Sequence, residues 1–192
     1  METQHEGLLK YAFDNLHCYL STEDAKDFPD ELEDGSYPIF VTWKKNGALR
    51  GCIGTFASAP LSKNLPRYSL VAAVQDSRFP PIAEKELPDL TCCISLLSHF
   101  EDIEHPLEWE VGKHGIEVEF VVKGEPYRAT FLPEVASERD WDQTTTLRHL
   151  VRKAGFMGKF EETLGSYKMI RRYQSIKMKM EYSEWKALSS VI

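Results

Sequence analysis

The sequence predicts an α+β protein: a largely antiparallel sheet flanked by helices, in two unequal lobes. Three observations carry that class. An Asn46-Gly47 pair sits between two β-rich runs, the strongest short-range hairpin signal. Strand patterns are interrupted by helical ones without strict βαβ alternation. Hairpin signals outnumber crossover signals, which favours antiparallel pairing. With 192 residues, 42% of them hydrophobic, the chain can bury one sizeable core, or a main domain with a small appended lobe. No linker, internal repeat or low-complexity stretch marks a domain cut, so residues 1–192 read as a single two-lobed domain with its core over about 8–185.

The elements follow in order. "GLLKYAFDNLHCYL" places Leu8, Leu9, Ala12, Phe13, Leu16, Tyr19 and Leu20 on one helical face. His17 and Cys18 flank that stripe and read as ordinary helix residues. Residues 21–36, acidic and broken by Pro29 and Gly35, form a surface connection. Strands are expected over 37–45 and 48–55, then a helix around 67–75 and a Pro-rich loop holding "DSRFPP" (76–81). A mostly apolar strand follows near 91–98. Strands over 115–122 and 127–132 are joined through 123–126, with "FLPEV" closing the second. "WDQTTTLRHLVRKAGF" is a helix capped at Asp142 or a nearby Thr, with Gly155 in the C′ role. "RRYQSIKMKMEYSEW" alternates as a last strand, with helix as the other option.

Charge and composition exclude some partners. A formal net charge of −7 weighs against sequence-independent binding to nucleic acid or to an anionic membrane. The basic run "IRRYQSIKMK" reads as a solvated face. No stretch reaches the roughly 18 apolar residues of a membrane span, and the N-terminus has no signal-peptide pattern. Cys18, Cys52, Cys92 and Cys93 lack C-x-x-C spacing and read as reduced thiols of a cytoplasmic or nuclear protein. The six histidines show no short metal-ligand spacing, and the P-loop, G-x-G-x-x-G and G-x-S-x-G patterns are missing. The sequence identifies no metal site, no cofactor and no oligomeric state.

The candidate site is "LRGCIGTF", residues 49–56. A two-residue hairpin loop pairs Lys45 with Ala48, Trp43 with Arg50, Val41 with Cys52 and Ile39 with Gly54. Alternation then sets Arg50, Cys52 and Gly54 on one face. Arg50 and Cys52 are about 6.6 Å apart, at about 3.3 Å per residue, so the guanidinium favours a thiolate. Trp43 stacks on Arg50. Gly54 clears space beside Cys52, and Gly51 admits a backbone or ligand on the opposite face. Three readings fit this pattern: a buried structural cysteine, a reactive cysteine, or a binding floor without covalent chemistry. Asp76, Arg78 and Phe79 of "DSRFPP" are substrate-binding candidates, with Arg78 taking an anionic group or merely tidying the loop with Asp76. His114, in a turn bracketed by Gly112 and Gly115, is an acid–base candidate beside Cys52 and Arg50, or an exposed turn histidine.

"LRGCIGTF", "DSRFPP", "GKHGIEVEF", "FLPEV" with "WD" after it, and "KAGF" occur here in an order that resembles the AMMECR family, over about 8–185. "RYQSIKMKMEYSEW" is similar to the eukaryotic members. Ser77 departs from the usual "DPRF". The resemblance implies two unequal lobes with the signature strand lining a cleft between them. Microbial members are associated with Memo-like and radical-SAM proteins, which implies small-molecule chemistry; regulatory roles have been proposed for eukaryotic members. Two functions follow. One is a cleft enzyme or small-molecule-binding protein using Cys52 and Arg50. The other is a non-catalytic regulatory or adaptor protein that binds a protein partner through the same surface.

Overall fold

The computed structural model describes residues 2–190. In order, the elements are α1 (Glu2–Ser21), β1 (Ser36–Lys45), β2 (Ala48–Pro60), α2 (Leu61–Val74), a 3-10 turn (Glu84–Asp89), β3 (Leu90–Asp102), β4 (Gly115–Val122) and β5 (Glu125–Phe131). They continue with α3 (Pro133–Ser137), α4 (Gln143–Lys153), a second 3-10 turn (Phe160–Thr163), β6 (Tyr167–Glu181) and α5 (Tyr182–Ser189). The class is α+β, with six strands in the order β2-β1-β3-β6-β4-β5. β1 pairs antiparallel with β2 and β3, and β4 with β5 and β6. Among the described residues, no helix is long and apolar enough to cross a membrane.

The chain divides into two compact units. One holds the residues up to Leu96 together with those from Ile176 onward; the other is Leu97–Ser175. In the first, α1 delivers its stripe as expected: Leu8, Leu9, Ala12, Phe13 and Leu16 are buried, although Tyr19 is exposed. They meet Ile39, Val41 and Trp43 of β1 in one apolar cluster. Trp43 is fully buried, with its ring edge-on to Phe13 at 5.0 Å. Its indole N–H donates to the Ser69 carbonyl at 2.9 Å, so burial leaves no unpaired donor there. In the second unit, Ile116, Val118 and Phe120 of β4 pack with Leu147, Leu150 and Val151 of α4. α4 is capped by Asp142, which accepts from the Thr145 N–H at 2.6 Å, and Gly155 follows at φ 93° in the C′ role.

Three local expectations need revision. α2 begins at Leu61 rather than near 67, because the helix runs through Pro66. Pro66 forfeits one intrahelical bond, but burial of Leu61 and Leu65 on the same face outweighs that loss. β5 starts at Glu125, since Lys123 and Gly124, both with positive φ, make a two-residue turn. The tail is part strand and part helix: β6 carries the Lys–Met alternation, and α5 buries Trp185.

Candidate functional site

The hairpin turns at Asn46-Gly47, and Lys45 pairs with Ala48 as expected. One step further the register shifts. Lys44 faces Leu49, but Trp43 faces Gly51 and Thr42 faces Cys52, leaving Arg50 as the extra residue of a β-bulge. That shift reverses the faces of the residues that follow. Gly51, opposite Trp43, turns toward α2, while Cys52, opposite Thr42, turns to the face away from the helices. The expected thiol–guanidinium pair on one face is therefore not formed, and neither is the Trp43–Arg50 stack.

Arg50 is held on the helix side. Its Nε and Nη2 donate to the two carboxylate oxygens of Glu86 at 3.1 and 3.0 Å, and Nη1 and Nη2 reach the Pro80 and Pro81 carbonyls at 2.7 and 3.2 Å. Lys45 adds a third ion-pair contact to Glu86 at 3.0 Å. With Arg50 as the main cause, the Glu86 carboxyl is held down to about 2. Only 11% of the Arg50 side chain is exposed. It pins the loop after α2 to the bulge.

Gly51 is required by a backbone approach. A Cβ there would lie 2.0 Å from the Ala72 carbonyl oxygen of α2. Gly54 does not clear space beside Cys52: Phe40, its partner in β1, lays its ring over the glycine, 2.5 Å from where a Cβ would stand.

The "DSRFPP" loop engages Cys52 through its backbone. β2 is the first strand of the sheet, so its outer edge needs partners. The Cys52 N–H donates to Asp76 Oδ2 at 2.9 Å, and Arg78 Nη2 donates to the Cys52 carbonyl at 3.1 Å. Asp76 also accepts from Arg78 Nε and Nη2 at 2.9 and 2.7 Å and from the Arg78 N–H. The pair thus supplies an acceptor and a donor where a neighbouring strand would. The Arg78 guanidinium holds the Asp76 carboxyl well below the usual carboxylate range, and Asp76 in turn raises Arg78, helped by the nearby Cys52. Phe79 closes the loop, its N–H on the Asp76 carbonyl and its ring under Arg78 at 5.5 Å. Arg78, then, is the guanidinium beside Cys52.

On its own face Cys52 belongs to a row that the sequence does not reveal. Thr42 pairs with Cys52 on one side and with Cys93 of β3 on the other. Its hydroxyl donates to the Cys52 Sγ at 3.0 Å. Burial pushes the Cys93 thiol up, against the pull of Lys44, Lys179 and Lys177. Cys92, the neighbour of Cys93 in β3, is fully buried. The β1–β3 register that brings Cys93 beside Thr42 leaves no local mark in the sequence.

His114 belongs to the second unit and is buried, not an exposed turn residue. Its Nδ1 accepts the Glu110 N–H at 3.0 Å, and its own N–H donates to the Glu110 carbonyl. Burial, with Arg172 and Lys113 nearby, lowers its pKa.

A family model, AMMECR1, matches residues 9–178. The chain belongs to the AMMECR1 family. It is 41% identical to an uncharacterized protein of Arabidopsis thaliana over 192 residues, covering 96% of this chain and 89% of the other. An uncharacterized protein of Schizosaccharomyces pombe is 43% identical over 154 residues, 78% of each chain. Among solved structures, the crystal structure of an uncharacterized protein from Pyrococcus horikoshii superposes with a TM-score of 0.77 at 27% identity, covering 94% of this chain and 93% of that one. Membership accounts for the fold over residues 9–178.

Proposed function

We propose that this AMMECR1-family protein binds an anionic small molecule on the first unit's sheet face opposite the helices, with the Cys52 thiol as the nucleophile that meets it. The observation that carries this reading is the Thr42 hydroxyl donating to the Cys52 sulfur at 3.0 Å. A hydroxyl in that position orients the sulfur and stabilises negative charge on it. Arg78 supports the same reading: its side chain is 54% exposed and is anchored by Asp76, so its guanidinium is preorganised toward an anion. Exposed Lys44 adds positive charge on that face. Arg50 has a different role, pinning the loop after α2 to the strand from inside the bulge. His114 is left out of the chemistry, since its Nδ1 is committed to the Glu110 backbone. All four cysteines are free, which fits a reducing compartment such as cytoplasm or nucleus.

The test is the rate at which iodoacetamide alkylates Cys52, read by mass spectrometry of the peptides. Cys52 should react faster than free cysteine at neutral pH. Thr42→Val should slow it about five-fold, the kinetic equivalent of one hydrogen bond of about 1 kcal/mol. A Cys52 that reacts no faster than free cysteine, and equally in both proteins, would remove the nucleophile and leave a purely structural strand.

A further inference from the structure

The end of α1 gathers a second set of chemically active side chains, far along the sequence from the signature strand. A ring nitrogen of His17, the Cys18 sulfur and a carboxylate oxygen of Glu23 all lie within 4.8 Å of one another. His17 and Cys18 are consecutive on the last turn of the helix. Glu23 lies beyond the helix end and is brought back by Thr22 at φ 58°, with the Glu23 N–H donating to the Cys18 carbonyl at 2.9 Å. A tetrahedral ion with bonds of about 2.0–2.3 Å holds its donors roughly 3.3–3.8 Å apart, about an ångström inside the limit within which these three atoms already lie.

We propose that His17, Cys18 and Glu23 form a three-ligand site for one zinc-class divalent ion at the C-terminal end of α1, with its fourth position open to water. The donor set is one imidazole, one thiolate and one carboxylate. It suits a borderline-soft ion, not calcium or magnesium, which take oxygen ligands. Two anionic ligands balance the ion's charge. The last turn of α1 carries no Lys or Arg, and the negative end of the helix dipole favours a cation there.

The surroundings hold the ligands in place. The His17 ring lies 5.3 Å from the Trp185 ring, and Trp185 Nε1 donates to Asp14 Oδ1 at 2.8 Å, one helical turn before Cys18. Asp14 in turn pairs with Lys10 and Lys26. Cys18 is only 3% exposed, which fixes its sulfur against the helix end.

The test uses the full chain, stripped of metal and titrated with Co2+, then back-titrated with Zn2+. The expected result is one equivalent of cobalt, an intense thiolate-to-cobalt absorption band, and quenching of Trp185 fluorescence. Cys18→Ser should abolish the band, and Glu23→Gln and His17→Gln, at less buried positions, should each weaken binding at least ten-fold. A Cys52→Ser/Cys93→Ser protein should keep the band. No stoichiometric cobalt, or a band that survives His17→Gln and Glu23→Gln unchanged, would overturn the site. So would a band lost only with Cys52 and Cys93.

Discussion

At the scale of single residues, two arginines have exchanged the parts that their spacing suggests. Arg50 sits two residues from Cys52 yet spends its donors on Glu86 and two proline carbonyls, whereas Arg78, 26 residues on, holds the Cys52 carbonyl. Replacing Arg50 by Lys separates structure from chemistry. Lysine keeps the charge but cannot fork across both Glu86 oxygens and the loop carbonyls. Arg50→Lys should lower stability by about 1–2 kcal/mol in urea unfolding, the scale of a lost charge-assisted bond, and leave Cys52 alkylation unchanged. Faster or slower alkylation without a stability loss would mean that Arg50 acts on the thiol after all.

Among the elements, β2 matters most, because it is an edge strand without an open edge at Cys52. Asp76 and Arg78 plug its backbone, and α2 presses its Ala72 carbonyl onto Gly51. The bulge at Arg50 and the glycine beside it therefore work together: the first turns Cys52 away from the helices, and the second lets α2 close on the strand. Gly51→Ala puts a methyl where a backbone oxygen already stands, so β2 or α2 must move. The expected cost is about 3 kcal/mol or more, at the upper end of overpacking, read as a drop in the urea midpoint. An alanine accommodated for less than about 0.5 kcal/mol would show that the helix does not rest on the strand. The hairpin, the α1 stripe and the α4 cap were readable because each is written in adjacent or periodic residues. The bulge was not, since nothing between Lys44 and Gly51 distinguishes an inserted Arg50 from a paired one until α2 is in place.

For the molecule as a whole, pH gives two separable readouts, one in each unit. His114 has its pKa lowered by burial, so its stabilising contribution is complete above the unfolded value of 6.5 and is lost as pH falls through the lowered folded one. Protonation also removes the Nδ1 acceptor used by the Glu110 N–H. Glu86 has its pKa lowered to about 2 from 4.5 by Arg50 first, so its contribution is present above 4.5 and disappears on the way down to about 2. Urea midpoints measured against pH should therefore begin to fall below 6.5 and fall further below 4.5. His114→Gln should flatten the first decline and Glu86→Gln the second. A variant that leaves its own window unchanged would show that the group is equally protonated, folded or unfolded.

The sequence by itself determined the α+β class, the order of most elements, the hairpin and the family, because these follow from periodicity, turn chemistry and contiguous motifs. It also singled out Arg50, Gly51, Asp76, Arg78 and Phe79, which make contacts around Cys52 or in the bulge next to it. Only the tertiary structure decided which guanidinium reaches the cysteine, which face its sulfur takes, and that Thr42 and Cys93 share its row. The physical reason is that one inserted residue in a strand reverses every side chain beyond it. Whether that insertion is stable depends on a helix carbonyl, a loop carboxylate and a neighbouring strand that meet only when the chain has folded.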